Sequence, residues 1–282
     1  MPLFPTQPTQ GPLTLTLEFD VGAVVVTASD RDDASVEVLP QDPARETDVR
    51  AAEQTRASLS GTTLAVKGPR KRSLFGRPGA LRVLVGLPAG SHVRATVPMA
   101  DMVCEGPLGD VHLKTSLGDL TVESAARTQL KTSHGDIRIG RATGDTKAGC
   151  TGRLTVGEVT GAADLSNLTG ETAVGRVTGE LRAASSDGTI TVDVALATVD
   201  VRSARGSIHV TEAVPGAAVT LKTAMGDIEV GVPGTTAAWL DLATGLGRVR
   251  NDLAATGSPA ADEATVEIRA RADVGDIVVH RV

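Results

Sequence analysis

Four aspartates, Asp119, Asp136, Asp227 and Asp276, each follow a glycine and precede a leucine or isoleucine. Carboxylates that recur at one point of a repeat can line up and bind calcium through their oxygens. The same register elsewhere holds Arg153, Glu171, Thr189, Ser207 and Arg248, so no continuous acidic ladder is expected. The GGxGxD pattern of calcium-binding nonapeptide repeats is also absent. These aspartates read as turn residues in solvent. The histidines, His92, His112, His134, His209 and His280, fall in different registers and lack the short spacing of a zinc site. Cys104 and Cys150 match no metal or redox spacing and read as two buried free thiols of a reducing cytoplasm. No P-loop, no GxGxxG after a strand and no GxSxG elbow occurs. The sequence therefore predicts no catalytic residue, no metal and no cofactor.

One segment stands apart. KGPRKRSLFGRPG, residues 67–79, gathers cations around Leu74 and Phe75 in a chain of net charge −6. Lys67, Arg70, Lys71, Arg72, Phe75 and Arg77 form the candidate binding site, suited to phosphate, an anionic polymer or a protein partner. The plainer reading is a solvated hairpin tip whose Phe75 folds back onto the core.

The elements that must carry these residues are legible in a repeat. LKTSLGDLTV at Leu113 returns as LKTSHGDIRI at Leu130 and as LKTAMGDIEV at Leu221. The signature glycine recurs at Gly118, Gly135, Gly152, Gly170, Gly188, Gly206, Gly226, Gly247 and Gly275, mostly 17 or 18 residues apart and then 20, 21 and 28. Two and four residues after it the chain is mostly apolar, with a mostly polar residue between; five and seven before it the alternation repeats. Period two on both sides of a turn predicts two short strands per coil. Such a unit cannot bury its apolar face alone, whereas coils stacked in register cover one another and form ladders of like residues. Two facing strands leave little room for rings, which fits a chain with no Tyr, one Trp and three Phe. Trp239 reads as a core or rim residue.

The same parity places Thr115, Thr132, Asn167, Ser185, Ser203, Thr223 and Thr244 inward at the corner, where they can bond along the stack. Asp164, Arg182 and Asp200 fall outward on successive coils, so a cross-coil charge pair is expected.

Residues 1–10 read as a disordered tail. Residues 11–100 read as an irregular β-region that starts and caps the stack, with strands at TLTLEF, GAVVVTAS, SVEVLP, TLAVKG and ALRVLVGLP. Between them, residues 41–56 form a polar loop or short helix. Residues 101–282 are the solenoid coils, the whole being one continuous domain, with an exposed loop around ATGSPAADEA. Taken in chain order, the Gly275 coil closes the stack. Its unpaired edge favours end-to-end self-association through the C-terminal coil unless His280 and Arg281 block it. The opening MPLFPTQPTQGP has no basic or apolar signal region, and no apolar run reaches about 18 residues, so a cytoplasmic protein without a membrane span is expected. Its acidic balance gives no pull toward nucleic acid.

LEFDVGAVVVTAS, VEVLP, VRAAEQT, KGPRKRSLFG, VLVGLPAGS and the run from MADMVCEGPLGDV through LKTSLGDL to VGDIVV together resemble a bacterial family of β-strand repeats labelled "putative adhesin", a domain of unknown function. The likeness is nearest to its soluble actinobacterial branch and covers nearly the whole chain. It implies a single-stranded right-handed β-helix with no established enzymatic activity and no catalytic residues to carry over. The resulting expectation is an all-β solenoid that is not an enzyme and acts as a scaffold or interaction protein. The alternatives are a module that docks an envelope component, polyanion or protein through residues 67–77, or a carbohydrate-active enzyme.

Overall fold

The computed structural model describes residues 3–9, 11–69, 78–253 and 264–282, with residues 3–8 as backbone. The chain divides into two compact units, Met1–Arg141 and Ala142–Val282. Both contain parallel β-solenoid coils, which the period-two repeat predicts for residues 101–282.

The first unit contains β1 (Leu3–Pro8), β2 (Thr14–Glu18), β3 (Val21–Ser29), β4 (Asp33–Pro40), α1 (Glu46–Gln54) and β5 (Arg56–Ser60). It continues through β6 (Thr63–Lys67), β7 (Ala80–Pro88), β8 (His92–Thr96), β9 (Met99–Leu117) and β10 (Leu120–His134). β2 lies between two parallel partners, with Leu15 facing Leu64 of β6 and Val93 of β8. β3 likewise lies between β7 and β9, with Val24 facing Val83 and Met102. The region expected to be an irregular cap therefore contains coils of its own, and the first of them sits inside its stack. The excursion through β4, α1 and β5 carries the chain to the far side of β2 and β3, where β6 and β7 dock.

Covering falls to the antiparallel strands, β4 on β7 and β5 on β6. The buried Asp48 carboxylate in α1 accepts the Asp42 and Ala80 N–H groups at 3.2 and 3.0 Å, which fixes the helix against the start of β7. The expected N-terminal tail contributes a strand instead: β1 pairs antiparallel with β4. Its register shifts between Phe4 and Gln7, where Pro5 has no N–H to offer, a tolerable defect on an edge strand.

β11 (Ile137–Ala142) ends at the boundary. The second unit then runs β12 (Thr146–Cys150), β13 (Leu154–Val159), β14 (Ala163–Thr169), β15 (Thr172–Val177), β16 (Leu181–Asp187), β17 (Ile190–Ala195) and β18 (Val199–Arg205). It finishes with β19 (Ile208–Ala213), β20 (Ala218–Met225), β21 (Ile228–Val232), β22 (Ala237–Leu246), β23 (Val249–Asn251), β24 (Thr265–Val274) and β25 (Ile277–Arg281).

The expected ladders are present. Leu165, Ala183, Val201 and Leu221 stand in register on one face, and Thr172, Ile190, Ile208 and Ile228 on the other. All are buried. At about 1.5–3 kcal/mol for each large aliphatic side chain fully buried, these ladders are the main source of cohesion between coils.

Chain order and stacking order then part company. β24 pairs with β20 on one side and β22 on the other, and β25 lies between β21 and β23. The last coil in sequence is inserted one level inside, and the Gly247 coil is the outermost among the described residues. Pro233–Thr236 carries the chain from β21 past the level that β25 fills. The Arg281 guanidinium holds this crossover, donating to the Pro233 and Thr236 carbonyls at 2.7 Å each. Arg281 is thus a latch and does not block an edge. The loop expected around ATGSPAADEA falls almost wholly outside the described residues.

Candidate interaction surface

The corner of each coil explains the signature residues. Eight of the nine repeat glycines have positive φ, from 97° to 155°. They also stack on each other's backbone: a Cβ on Gly188 would lie 2.0 Å from the Gly170 carbonyl oxygen, and one on Gly275 would lie 2.0 Å from that of Gly226. Only hydrogen fits there.

The aspartates turn out to face along the stack. The Asp119 carboxylate accepts the Asp136 N–H at 2.8 Å, Asp227 accepts that of Asp276 at 2.8 Å, and Asp276 accepts that of Arg248 at 2.8 Å. Each side chain satisfies the corner amide of its neighbouring coil. The reading of Asp as a turn residue misses this link, because it depends on which coil lies next.

The inward hydroxyl ladder is partly satisfied. Thr132, Thr223 and Thr244 donate to the carbonyls of Gly118, Gly206 and Gly275 at 2.9, 3.0 and 2.7 Å, and Asn167 Nδ2 donates to Gly152 at 2.9 Å. The buried Ser185 and Ser203 hydroxyls make no hydrogen bond. The β-branched threonine is held in the rotamer that reaches the carbonyl; serine is not. Ser203→Thr and Ser185→Thr should therefore each gain about 0.5–1.5 kcal/mol in urea unfolding. An unchanged or lowered midpoint would contradict this account.

On the outer faces, many described charges form ion pairs. Asp164, Arg182 and Asp200 stand in register as expected. A cross-coil pair forms, but between Lys147 and the facing Asp164, at 3.1 Å; Arg182 and Asp200 instead pair two residues along the chain, with Glu180 at 2.6 Å and Arg202 at 2.8 Å. His209 and His280, far apart in sequence, both reach Glu229, at 3.1 and 3.2 Å, because β25 stacks on β21. The described residues hold no group of three or more His, Cys, Asp or Glu able to bind a metal. Cys104 and Cys150 are free and buried, and burial pushes the Cys104 thiol up to about 12. Asp33 is held below the usual carboxylate range by the Arg31 guanidinium that bonds it.

Of the candidate cationic site, Lys67 lies exposed at the end of β6. Arg70, Lys71, Arg72, Phe75 and Arg77 lie outside the described residues.

A surface that sequence reasoning placed elsewhere is built by the coil exchange. Along one inward ladder, Ile190, Ile208, Ile228 and Ile277 are fully buried, while Val249 at its end is 45% exposed. The adjacent ladder of valines ends in exposed Asn251. Leu240 and Leu242, inward on β22, are only half-buried. On the outer corner Met225, Val274 and Leu246 stand next to one another in successive coils, and Leu246 is 71% exposed. Trp239, 57% exposed, lies under Arg269 at 5.9 Å from the ring centre. Arg271 binds the Asp241 carboxylate and carbonyl at 2.6 and 2.7 Å. One signal in the sequence marks this outermost coil: Asn251 stands where the other repeats carry Val or Ile. A polar residue fits that inward register where one side is open.

Among the described residues, no helix is long and apolar enough to cross a membrane. No curated protein matches the chain. The matching solved structures include a "putative adhesin" from Parabacteroides merdae (11% identity, TM-score 0.42, 99% of this chain and 95% of that one). They also include one from Bacteroides fragilis (13%, 0.37, 98% and 96%). A model of the Toastrack DUF4097 family matches residues 14–280. With that match spanning nearly the whole repeat array, the chain belongs to the Toastrack DUF4097 family.

Proposed function

We propose that the chain is a non-enzymatic scaffold that binds partners through the open end of its carboxy-terminal coils, and that it works in the cytoplasm. The supporting observation is the row of exposed apolar side chains, Met225, Val274 and Leu246, that leads up to the edge strand β22 with Trp239 on it. Exposed apolar side chains beside an open strand edge mark an association site. The outer carboxylates of Asp187, Asp200 and Asp241 each pair with an arginine, an arrangement suited to holding coils and strands in place. Two unbridged, buried thiols are compatible with a reducing compartment.

The second reading is docking of an envelope component, polyanion or protein through the cationic segment. The third is a carbohydrate-active enzyme. Capture experiments with the immobilised chain separate them. Trp239→Ser together with Leu246→Asp should abolish partner retention. Neutralising Lys67, Arg70, Lys71, Arg72 and Arg77 should leave it unchanged. The reverse pattern would move the function to the cationic segment, and release of reducing ends from a polysaccharide panel would make the chain an enzyme.

A further inference from the structure

The geometry points to a second copy of this chain as the occupant of the β22 edge, paired antiparallel about Leu242. The inference rests on the scaffold reading above and names its partner. The Ala237 N–H donates to the Ala264 carbonyl at 2.9 Å, which sets the phase of the ladder between β22 and β24. In a parallel ladder, residues bonding to one neighbour alternate with residues that turn their N–H and C=O the other way. Residues 237, 239, 241 and 243 therefore face β24. Ala238, Leu240, Leu242 and Thr244 turn their backbone groups away from it, toward the open side. Among the described residues, β24 is the strand with which β22 pairs.

Edge strands that stay unpaired usually carry lysine, proline or an inward charge. β22 reads AAWLDLATGL and has none of these. Its one charge, Asp241, is outward and already bound by Arg271. The strand is therefore prepared for pairing, and a row of alternating donors and acceptors is matched by another strand edge.

That edge is best supplied by β22 itself. The outermost parallel strands of the first unit, β6 and β7, are each covered by an antiparallel strand, β5 and β4. The strand β5 is short and begins with Arg56; β1, which covers β4, is interrupted at Pro5. Neither offers a long apolar edge for head-to-tail growth. Antiparallel self-pairing about Leu242 sets Leu242 against its own copy and Leu240 against Thr244 of the second copy. Both are pairs of residues with open backbone groups and inward side chains, so the two cores join without a change of phase. On the outer face, Trp239 falls opposite Gly245 of the second copy, where a ring has space, and Asp241 falls opposite Ala243, so no like charges meet. A two-fold contact of this kind closes on itself and gives a dimer.

The test is light scattering behind size exclusion on the full chain over a dilution series, with two variants. The wild type should show a two-chain mass that dissociates on dilution. Leu242→Lys, which points a charge into the joined core, should give a one-chain mass with an unchanged circular dichroism spectrum. Leu246→Asp, a change at a largely exposed side chain, should weaken the dimer by about tenfold or more and leaves folding out of question. A wild type that stays a single chain at every concentration would overturn the inference, as would a mass that grows without limit or a dimer unaffected by both variants. A single-chain wild type that still retains a partner, lost with Trp239→Ser and Leu246→Asp, would overturn self-pairing alone. Polysaccharide turnover would overturn the scaffold reading alone.

Discussion

Gly206→Ala should cost about 4 kcal/mol or more, a loss outside the range of ordinary surface substitutions. Two effects combine at this corner. Gly206 has φ of 143°, which an L side chain rarely adopts. Its new Cβ would also lie 2.1 Å from the Gly188 carbonyl oxygen, which belongs to the backbone of the stacked coil. Relief requires the Gly188 and Gly206 coils to separate, and that opens the ladders Ala183–Val201 and Ile190–Ile208 on the two sides of the corner. Gly216 isolates the first effect, since its φ is 85° but nothing stands within 4 Å of a Cβ. Gly216→Ala should cost about 1–2 kcal/mol. Gly234, with neither constraint, should accept alanine with no loss, or a small gain from a stiffer unfolded chain. Urea unfolding of the three variants reads the comparison directly. Equal losses at Gly206 and Gly216 would mean that the close stacking of glycine on glycine is not what holds the corner.

Ile268→Asp should be comparably severe, at about 4–5 kcal/mol, because it buries a carboxylate with no partner and removes a core side chain. Its more informative consequence is spatial. Ile268 is fully buried between Val219 of β20 and Leu240 of β22. Disrupting β24 leaves β22 without its strand partner, and disrupting β25 does the same to β23. Hydrogen exchange should then show the amides of residues 237–251 losing protection together with those of 265–281, while β18 and β19 keep theirs. If the coils stacked in chain order, residues 237–246 would rest on β20 and stay protected. That outcome would overturn the inserted arrangement and, with it, the open edge at β22.

The period-two alternation around each repeat glycine was enough to establish two strands per coil, the inward residues Leu165, Ala183, Val201 and Leu221, and the inward hydroxyls at the corner. It did so because a strand buried on one face has only one workable phase, and a slip of one residue would turn every side chain over. The shortage of aromatic residues followed from the same narrow interior. The order of the coils was decided by the tertiary structure. Coils with the same inward pattern are interchangeable as neighbours, so Leu221 packs as well on Ala270 as on Leu242, and local sequence cannot choose between them. The choice depends on connections: the path from β3 to β6 through β4, α1 and β5, and the Pro233–Thr236 crossover latched by Arg281. Strand levels are about 4.8 Å apart, so even four residues can step over one. The roles of Asp119, Asp227 and Asp276 as acceptors for the next coil, the convergence of His209 and His280 on Glu229, and the exposure of Leu240, Leu242 and Trp239 all derive from that order. They were legible only once each coil's neighbour was known.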